Sequence, residues 1–221
     1  MTEFIFFLTY SDVTIYNALD VFDEIKDTGI KYVGFKDVGL PKEKLKTLRK
    51  KIDEAGLISV LEVVTATEED NVRSVKMGVE LGIDYLIGGT YVEKSLPLLK
   101  NTDINYFPYV GRIVGHPCLL RGSLDYVFKD AERVEKLGAN GIDLLAYRYD
   151  GDVEKLIKGV QEAVDIPLII AGSVSSFEQV EKLINLDVWA FTIGSAVFDK
   201  KLVPNAGYRD QIKAVLKAIK K

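Results

Sequence analysis

The sequence predicts a parallel (β/α)8 barrel, on three observations. Short apolar runs of four to seven residues alternate with segments of helical spacing, and the alternation occurs eight times in 221 residues with no segment left over. Gly56, Gly82 and Gly138 each stand just past a helical segment and just before the next apolar run, where a left-handed residue ends a helix. A Gly-x-Gly-x-x-Gly turn, the mark of an open dinucleotide-binding sheet, does not follow the first run. A single domain spanning 1–221 is expected, since the length is near the roughly 250 residues typical of one barrel.

The units follow in order. Phe4 to Tyr10 is an aromatic and aliphatic run read as the first strand; it breaks at Ser11-Asp12, and 15–26 carries Ala18, Leu19, Phe22 and Ile25 at helical spacing. Strand 31–36 precedes a helix over 41–56, opened by proline and closed by glycine. Units three to five pair 58–64 with 68–81, 84–88 with 91–99, and 105–111 with 124–137. Strand 141–147 and helix 153–164 make the sixth. Strands from Pro167 and Val188, with helices over 176–186 and 208–220, complete eight. The fifth connection, 112–123, exceeds the usual loop length of about 2–6 residues and carries Arg112, His116, Cys118 and Arg121, so it is a candidate substrate-contacting loop.

Composition narrows the function. Net charge is −4 and the pI is near 5.2, which opposes broad nucleic-acid or anionic-membrane binding. One cysteine and one histidine preclude an intrachain disulfide and a histidine-based zinc cluster, so no metal is assigned, with magnesium held by Asp12 and Asp37 left as a weak option. No apolar run approaches the ~20 residues that span a bilayer, and no basic leader with a cleavage signal is seen, so a cytoplasmic protein is expected.

Two strand ends stand out. Leu168-Ile169-Ile170-Ala171 stops at Gly172-Ser173, and Val188-Trp189-Ala190-Phe191-Thr192-Ile193 stops at Gly194-Ser195. Glycine lets a backbone approach an anion closely, and a helix opening just after it aims unpaired N–H groups at the same point. Ile170 to Ser175 followed by Phe191 to Phe198 resembles the paired phosphate-gripping ends of strands seven and eight in the ribulose-phosphate-binding (β/α)8 barrels, a superfamily of isomerases, epimerases and decarboxylases. The resemblance implies that Gly172, Ser173, Gly194 and Ser195 hold a substrate phosphate. Val33 to Asp37 is also similar to the strand-end lysine segment of N-acetylmannosamine-6-phosphate epimerases. However, the lysine falls one strand early, and Ala171 stands where that family has a glutamate. The Asp-x-Lys-x-x-Asp motif of the decarboxylases is absent, so no single reaction is implied.

Strand parity places the remaining candidates. Val33, Phe35, Leu61 and Val63 suit the helix layer, which turns Gly34, Lys36, Val60 and Glu62 inward. Thr9, Ser11, Gly88 and Tyr147 are placed inward likewise. Lys36 and Glu62 then share one mouth of the barrel, either as a bland buried ion pair or with Lys36 as the acid or electrostatic group at an enediolate oxygen and Glu62 or Asp37 assisting. A Schiff base ranks lower, because the sixth strand has no lysine. Arg112 and Arg148 are candidates for the far end of the substrate, through the guanidinium fork. Asp143 reads as structural. The expected function is an isomerase, epimerase or lyase acting on a small phosphorylated metabolite, without cofactor, in a chain that can form homo-oligomers. A phosphometabolite sensor and an FMN-binding barrel are the alternatives.

Overall fold

The computed structural model describes residues 2–220 and contains eight parallel strands: β1 (Glu3–Phe7), β2 (Tyr32–Lys36), β3 (Ile58–Val63), β4 (Tyr85–Gly88), β5 (Asn105–Phe107), β6 (Ile142–Leu144), β7 (Leu168–Ile170) and β8 (Ala190–Ile193). They pair in the order β6-β7-β8-β1-β2-β3-β4-β5. A parallel bridge between Tyr109 and Asp143 closes the ring between β5 and β6, supported by the Asp143 amide donating to the Pro108 carbonyl at 2.9 Å. The fold is therefore the (β/α)8 barrel that the eightfold alternation predicts.

Helices α1 (Ala18–Ile25), α2 (Lys42–Glu54), α3 (Glu68–Leu81), α4 (Val92–Leu99), α5 (Leu124–Leu137), α6 (Val153–Ala163), α7 (Phe177–Asn185), α8 (Ser195–Phe198) and α9 (Tyr208–Ala218) surround it. Their starts follow capping chemistry: Thr67, Ser123, Asp152 and Ser176 each accept a backbone N–H from the first turn, and Ser176 with Gln179 forms a reciprocal capping box. Gly82 and Gly138 take left-handed conformations at the ends of α3 and α5.

Strand alternation divides the core in two. Phe4, Phe6, Val33, Phe35, Leu61, Val63 and Leu86 point outward under the helices, whereas Ile5, Phe7, Val60, Ile87, Phe107 and Ile169 fill the barrel. The end away from the strand C-termini is plugged by aromatic rings: Trp189 stacks on Phe107 at 5.2 Å and on Tyr85 at 5.5 Å, with Tyr32 edge-on at 6.1 Å. With that end packed by hydrocarbon, the polar interior is confined to the other.

Three segments differ from the sequence expectation. The first strand ends at Phe7, and Thr9–Tyr10 pairs with Val13–Thr14 in a hairpin whose turn residues Ser11 and Asp12 are both left-handed, at φ 49° and 62°. The long fifth connection is a second hairpin, Arg112–Val114 with Leu119–Arg121. Residues 146–148 form a 3-10 turn instead of extending β6, so Tyr147 packs on the outer core and not in the cavity. Tyr10, Val13 and Tyr16 leave an exposed apolar patch on and beside the first hairpin. No helix among the described residues is long and apolar enough to cross a membrane.

Replacing the plug tests how much the closed end contributes. Trp189→Ala should lower the free energy of unfolding by about 3–5 kcal/mol in urea titration, because an aromatic side chain leaves a cavity between fixed rings. A change below about 1 kcal/mol would show that the plug is not packed as described.

Candidate functional site

The strand C-termini enclose a cavity of about 180 Å³ lined by Thr9, Asp12, Lys36, Glu62, Arg148, Gly172 to Ser175, Thr192, Gly194 to Ala196 and Lys201. The two glycine-serine ends and the Lys36–Glu62 pair thus open into one space. Lys36 and Glu62 are register partners on β2 and β3, which points both side chains the same way.

The charged groups form one buried network. Lys36 Nζ lies 2.9 Å from Asp12 Oδ1 and 3.0 Å from Glu62 Oε2. Arg148 grips Asp12 with both terminal nitrogens, NH1 to Oδ2 at 2.6 Å and NH2 to Oδ1 at 2.8 Å. The Cys118 amide donates to Asp12 Oδ2 at 3.0 Å, so Asp12 receives four donors. Tyr109 donates its hydroxyl to Glu62 Oε1 at 2.5 Å. Thr14 from the first hairpin secures the end of β2: its hydroxyl donates to the Lys36 carbonyl and accepts from the Lys36 amide.

Protonation follows from this geometry. Burial alone would lower the Lys36 pKa, but the Glu62 and Asp12 charges beside it raise it overall, so Lys36 is an ammonium. Asp12 is opposed by burial yet held well below the usual carboxylate range by Arg148 and Lys36. Arg148 is disfavoured by burial but raised by Asp12. Burial first, then the Glu62 charge, drives the Tyr109 hydroxyl well above its ordinary value. Asp143 is fully buried, and neither of its carboxyl oxygens has a hydrogen-bond partner among the described residues; burial, then Glu62, pushes its pKa well above the ordinary value, so it is neutral.

At the glycine-serine strand ends, Gly172 and Ser173 are both left-handed, at φ 77° and 64°. A Cβ on Gly172 would come within 2.8 Å of the Arg148 side chain, so this glycine lets the arginine lie against the turn, where its Nε donates to Ser173 Oγ at 3.4 Å. Ser195 opens the short helix α8, its hydroxyl accepting from the Ser11 amide at 3.3 Å. Glycine-serine pairs at the ends of two adjacent strands line one cavity, and the backbone amides of such turns suit an oxyanion.

Not every candidate reaches the cavity. Asp37 turns toward the helix layer, where the Val64 amide donates to it at 3.1 Å and Ser74 of α3 lies beside it. Arg112 sits exposed on the second hairpin, paired in register with Arg121, outside the cavity lining. Both were placed by proximity to a strand end, and neither side chain points inward. Gly88 makes room for protein, since a Cβ there would lie 3.1 Å from the Tyr109 ring. Asp12, expected only as a weak magnesium ligand, and Tyr109, not among the expected site residues, are both part of the network. The pattern Thr-Tyr-Ser-Asp-Val-Thr, two short extended pairs about a two-residue turn, was the available signal for Asp12. Tyr109 stands two residues after Phe107 within the expected strand 105–111, so alternation was its available signal even though β5 ends at Phe107.

A divalent cation does not fit here. Asp12, His116 and Cys118 bring ligand atoms within 4.8 Å of one another, but the Asp12 oxygens already take four donors, three of them on the cationic Lys36 and Arg148 side chains, and burial pushes the Cys118 thiol up to about 12. Asp12 and Asp37, the pair considered for magnesium, face different layers.

The (β/α)8 barrel is shared with solved structures of low sequence identity. No protein-family model matches the chain. Among curated proteins it is similar to 1-(5-phosphoribosyl)-5-((5-phosphoribosylamino)methylideneamino) imidazole-4-carboxamide isomerases. That of Clostridium beijerinckii is 24% identical over 142 residues, 59% of each chain, and that of Clostridium botulinum is 24% identical over 144 residues, 60% of each. The match thus spans under two thirds of those relatives. Among solved structures, orotidine 5′-phosphate decarboxylase from Pyrococcus horikoshii superposes with a TM-score of 0.70 at 15% identity over 99% of both chains. Phosphoribosylanthranilate isomerase from Thermotoga maritima gives 0.66 at 15% identity over 100% of this chain and 99% of that one.

The neutral Asp143 sets a pH dependence. The folded chain holds a proton that the unfolded chain releases near the ordinary carboxylate pKa of 3.8, so stability falls as pH rises above that value toward the raised folded pKa. Asp143→Asn should flatten the fall, gaining stability relative to the parent on going from pH 4 to pH 8 in paired urea titrations. An unchanged pH slope would mean that Asp143 is ionised in the folded protein.

Proposed function

We propose that this chain is an enzyme that isomerises, epimerises or cleaves a small phosphorylated sugar or related phosphate ester through an enediolate-type intermediate. The observation that carries the reading is the meeting, in one cavity, of the two glycine-serine strand ends with a buried lysine held between two carboxylates. The isomerase activity in the names of the curated relatives, and the decarboxylase and isomerase names among the structural neighbours, support the same class.

In this reading the amides at Gly172-Ser173 and Gly194-Ser195 hold the phosphate, and binding energy from that end aligns the reacting carbon. Lys36 is the electrostatic group: a fixed ammonium stabilises negative charge growing on the substrate oxygen in a site with little water. Two carboxylates keep it protonated, which disfavours a Schiff base. Glu62 is the proton-transfer group, because its Oε2 meets only Lys36, whereas Asp12 is saturated by four donors and is a weak base. Arg148 and Tyr109 position Asp12 and Glu62. Asp37 and Arg112 have no role.

The test is loss of a carbon-bound proton to solvent. Aldose and ketose monophosphates incubated with the protein in deuterium oxide should include at least one that exchanges hydrogen beside its carbonyl, followed by proton NMR. Lys36→Met should slow that exchange by about 10²–10³-fold, the scale of losing one preorganised oxyanion stabiliser, and leave inorganic phosphate affinity within a few-fold. Ser195→Asp should abolish phosphate binding, since it sets a carboxylate where the anion sits. Phosphate esters that bind but neither exchange nor react would end the enzymatic reading and favour a sensor.

A further inference from the structure

Building on the proposed phosphate-ester reading, we infer that the site selects a short monophosphate whose far end carries no charge, and disfavours bisphosphates and phosphorylated carboxylates. Charge counting leads to this conclusion. Lys36 and Arg148 contribute two positive charges, Asp12 and Glu62 two negative ones, and ion pairs link them in the series Glu62–Lys36–Asp12–Arg148. The cluster beyond the phosphate turns is therefore neutral as a unit. Arg148, the natural partner for a second anion, has both terminal nitrogens committed to Asp12, and NH1 also donates to the Cys118 carbonyl at 3.1 Å. The remaining lysine in the lining, Lys201, is on the α8 side of the cavity with its Nζ 3.1 Å from Asp199.

The neighbouring space points the same way. A second cavity of about 50 Å³ lies under the Arg112–Arg121 hairpin, lined by Val64, Thr65, Ala66, Tyr109, Ile113 and Cys118 among others, without one charged side chain. His116 is exposed at the hairpin tip and outside both linings. The main cavity, at about 180 Å³, is below the ~300–1,000 Å³ of sites for drug-sized ligands, which leaves room for a phosphate and a short carbon chain. A second anion would meet Asp12 and Glu62 with no free cation to offset them.

Isothermal titration with two matched pairs tests this: ribulose 5-phosphate against ribulose 1,5-bisphosphate, and glycerol 3-phosphate against 3-phosphoglycerate. The member of each pair that carries a second anionic group should bind at least tenfold more weakly. Glu62→Gln, which leaves Lys36 with one carboxylate fewer, should narrow the gap for 3-phosphoglycerate at least threefold. Asp12→Asn, which releases Arg148, should act in the same direction and guards against one variant failing to fold. A bisphosphate or phosphoglycerate binding the parent protein as tightly as its partner would overturn the inference while leaving the phosphate grip standing. If neither these four ligands nor inorganic phosphate binds, the phosphate reading itself fails and the inference falls with it.

Discussion

A positive charge fixed between two carboxylates inside a barrel governs this structure. Lys36 is buried, and desolvating an unpaired ammonium would cost several kcal/mol, so the chain surrounds it with Asp12 and Glu62 at 2.9 and 3.0 Å. Each carboxylate needs partners in turn. Asp12 is met by Arg148 from beyond β6 and by the Cys118 amide from the second hairpin, and Glu62 by Tyr109 from beyond β5. Segments far apart in sequence are thereby held at one mouth of the barrel. Removing any one partner leaves an uncompensated buried charge, which typically costs about 3–5 kcal/mol.

This arrangement explains why both hairpins exist. The first places Asp12 through two consecutive left-handed non-glycine residues, a strained turn that the Lys36 and Arg148 contacts help to maintain. The second brings Cys118 down onto Asp12 and Val64, roofing the polar end. The opposite end is filled with aromatic rings, so the barrel cavity opens at the strand C-termini. Phosphate-type turns and charge network then face each other across a small space, linked through Arg148, which touches Asp12 on one side and Ser173 on the other.

Much of this was legible in the sequence. Helix periodicity, glycine stops and the two glycine-serine strand ends specified the barrel, and two-residue alternation placed Lys36 and Glu62 inward because their neighbours Phe35, Leu61 and Val63 had to meet the helices. Parity works inside a strand and fails past its end. Asp37 turns outward, as the alternation through Val33 and Phe35 requires, whereas Tyr147 falls in a 3-10 turn and Arg112 enters a hairpin that composition alone marked only as a long loop. Arg148 reached the cavity because Gly172 opposite has no side chain to exclude it, a complementarity between residues 24 positions apart. Asp12 and Tyr109 became central through tertiary contacts, Asp12 with Lys36 and Arg148 and Tyr109 with Glu62.

The protonation state of Lys36 tests the account most directly. Nitrogen-15 NMR of the lysine side-chain nitrogens, with Lys36→Met to assign the signal, reads it without needing a substrate. The account predicts an ammonium resonance that persists above the ordinary lysine pKa of 10.5, held there by Glu62 and Asp12. A signal that moves to the neutral-amine position near pH 7 would contradict it, because the two carboxylates would then not be clamping a charge and Lys36 would be free to act as a base or nucleophile.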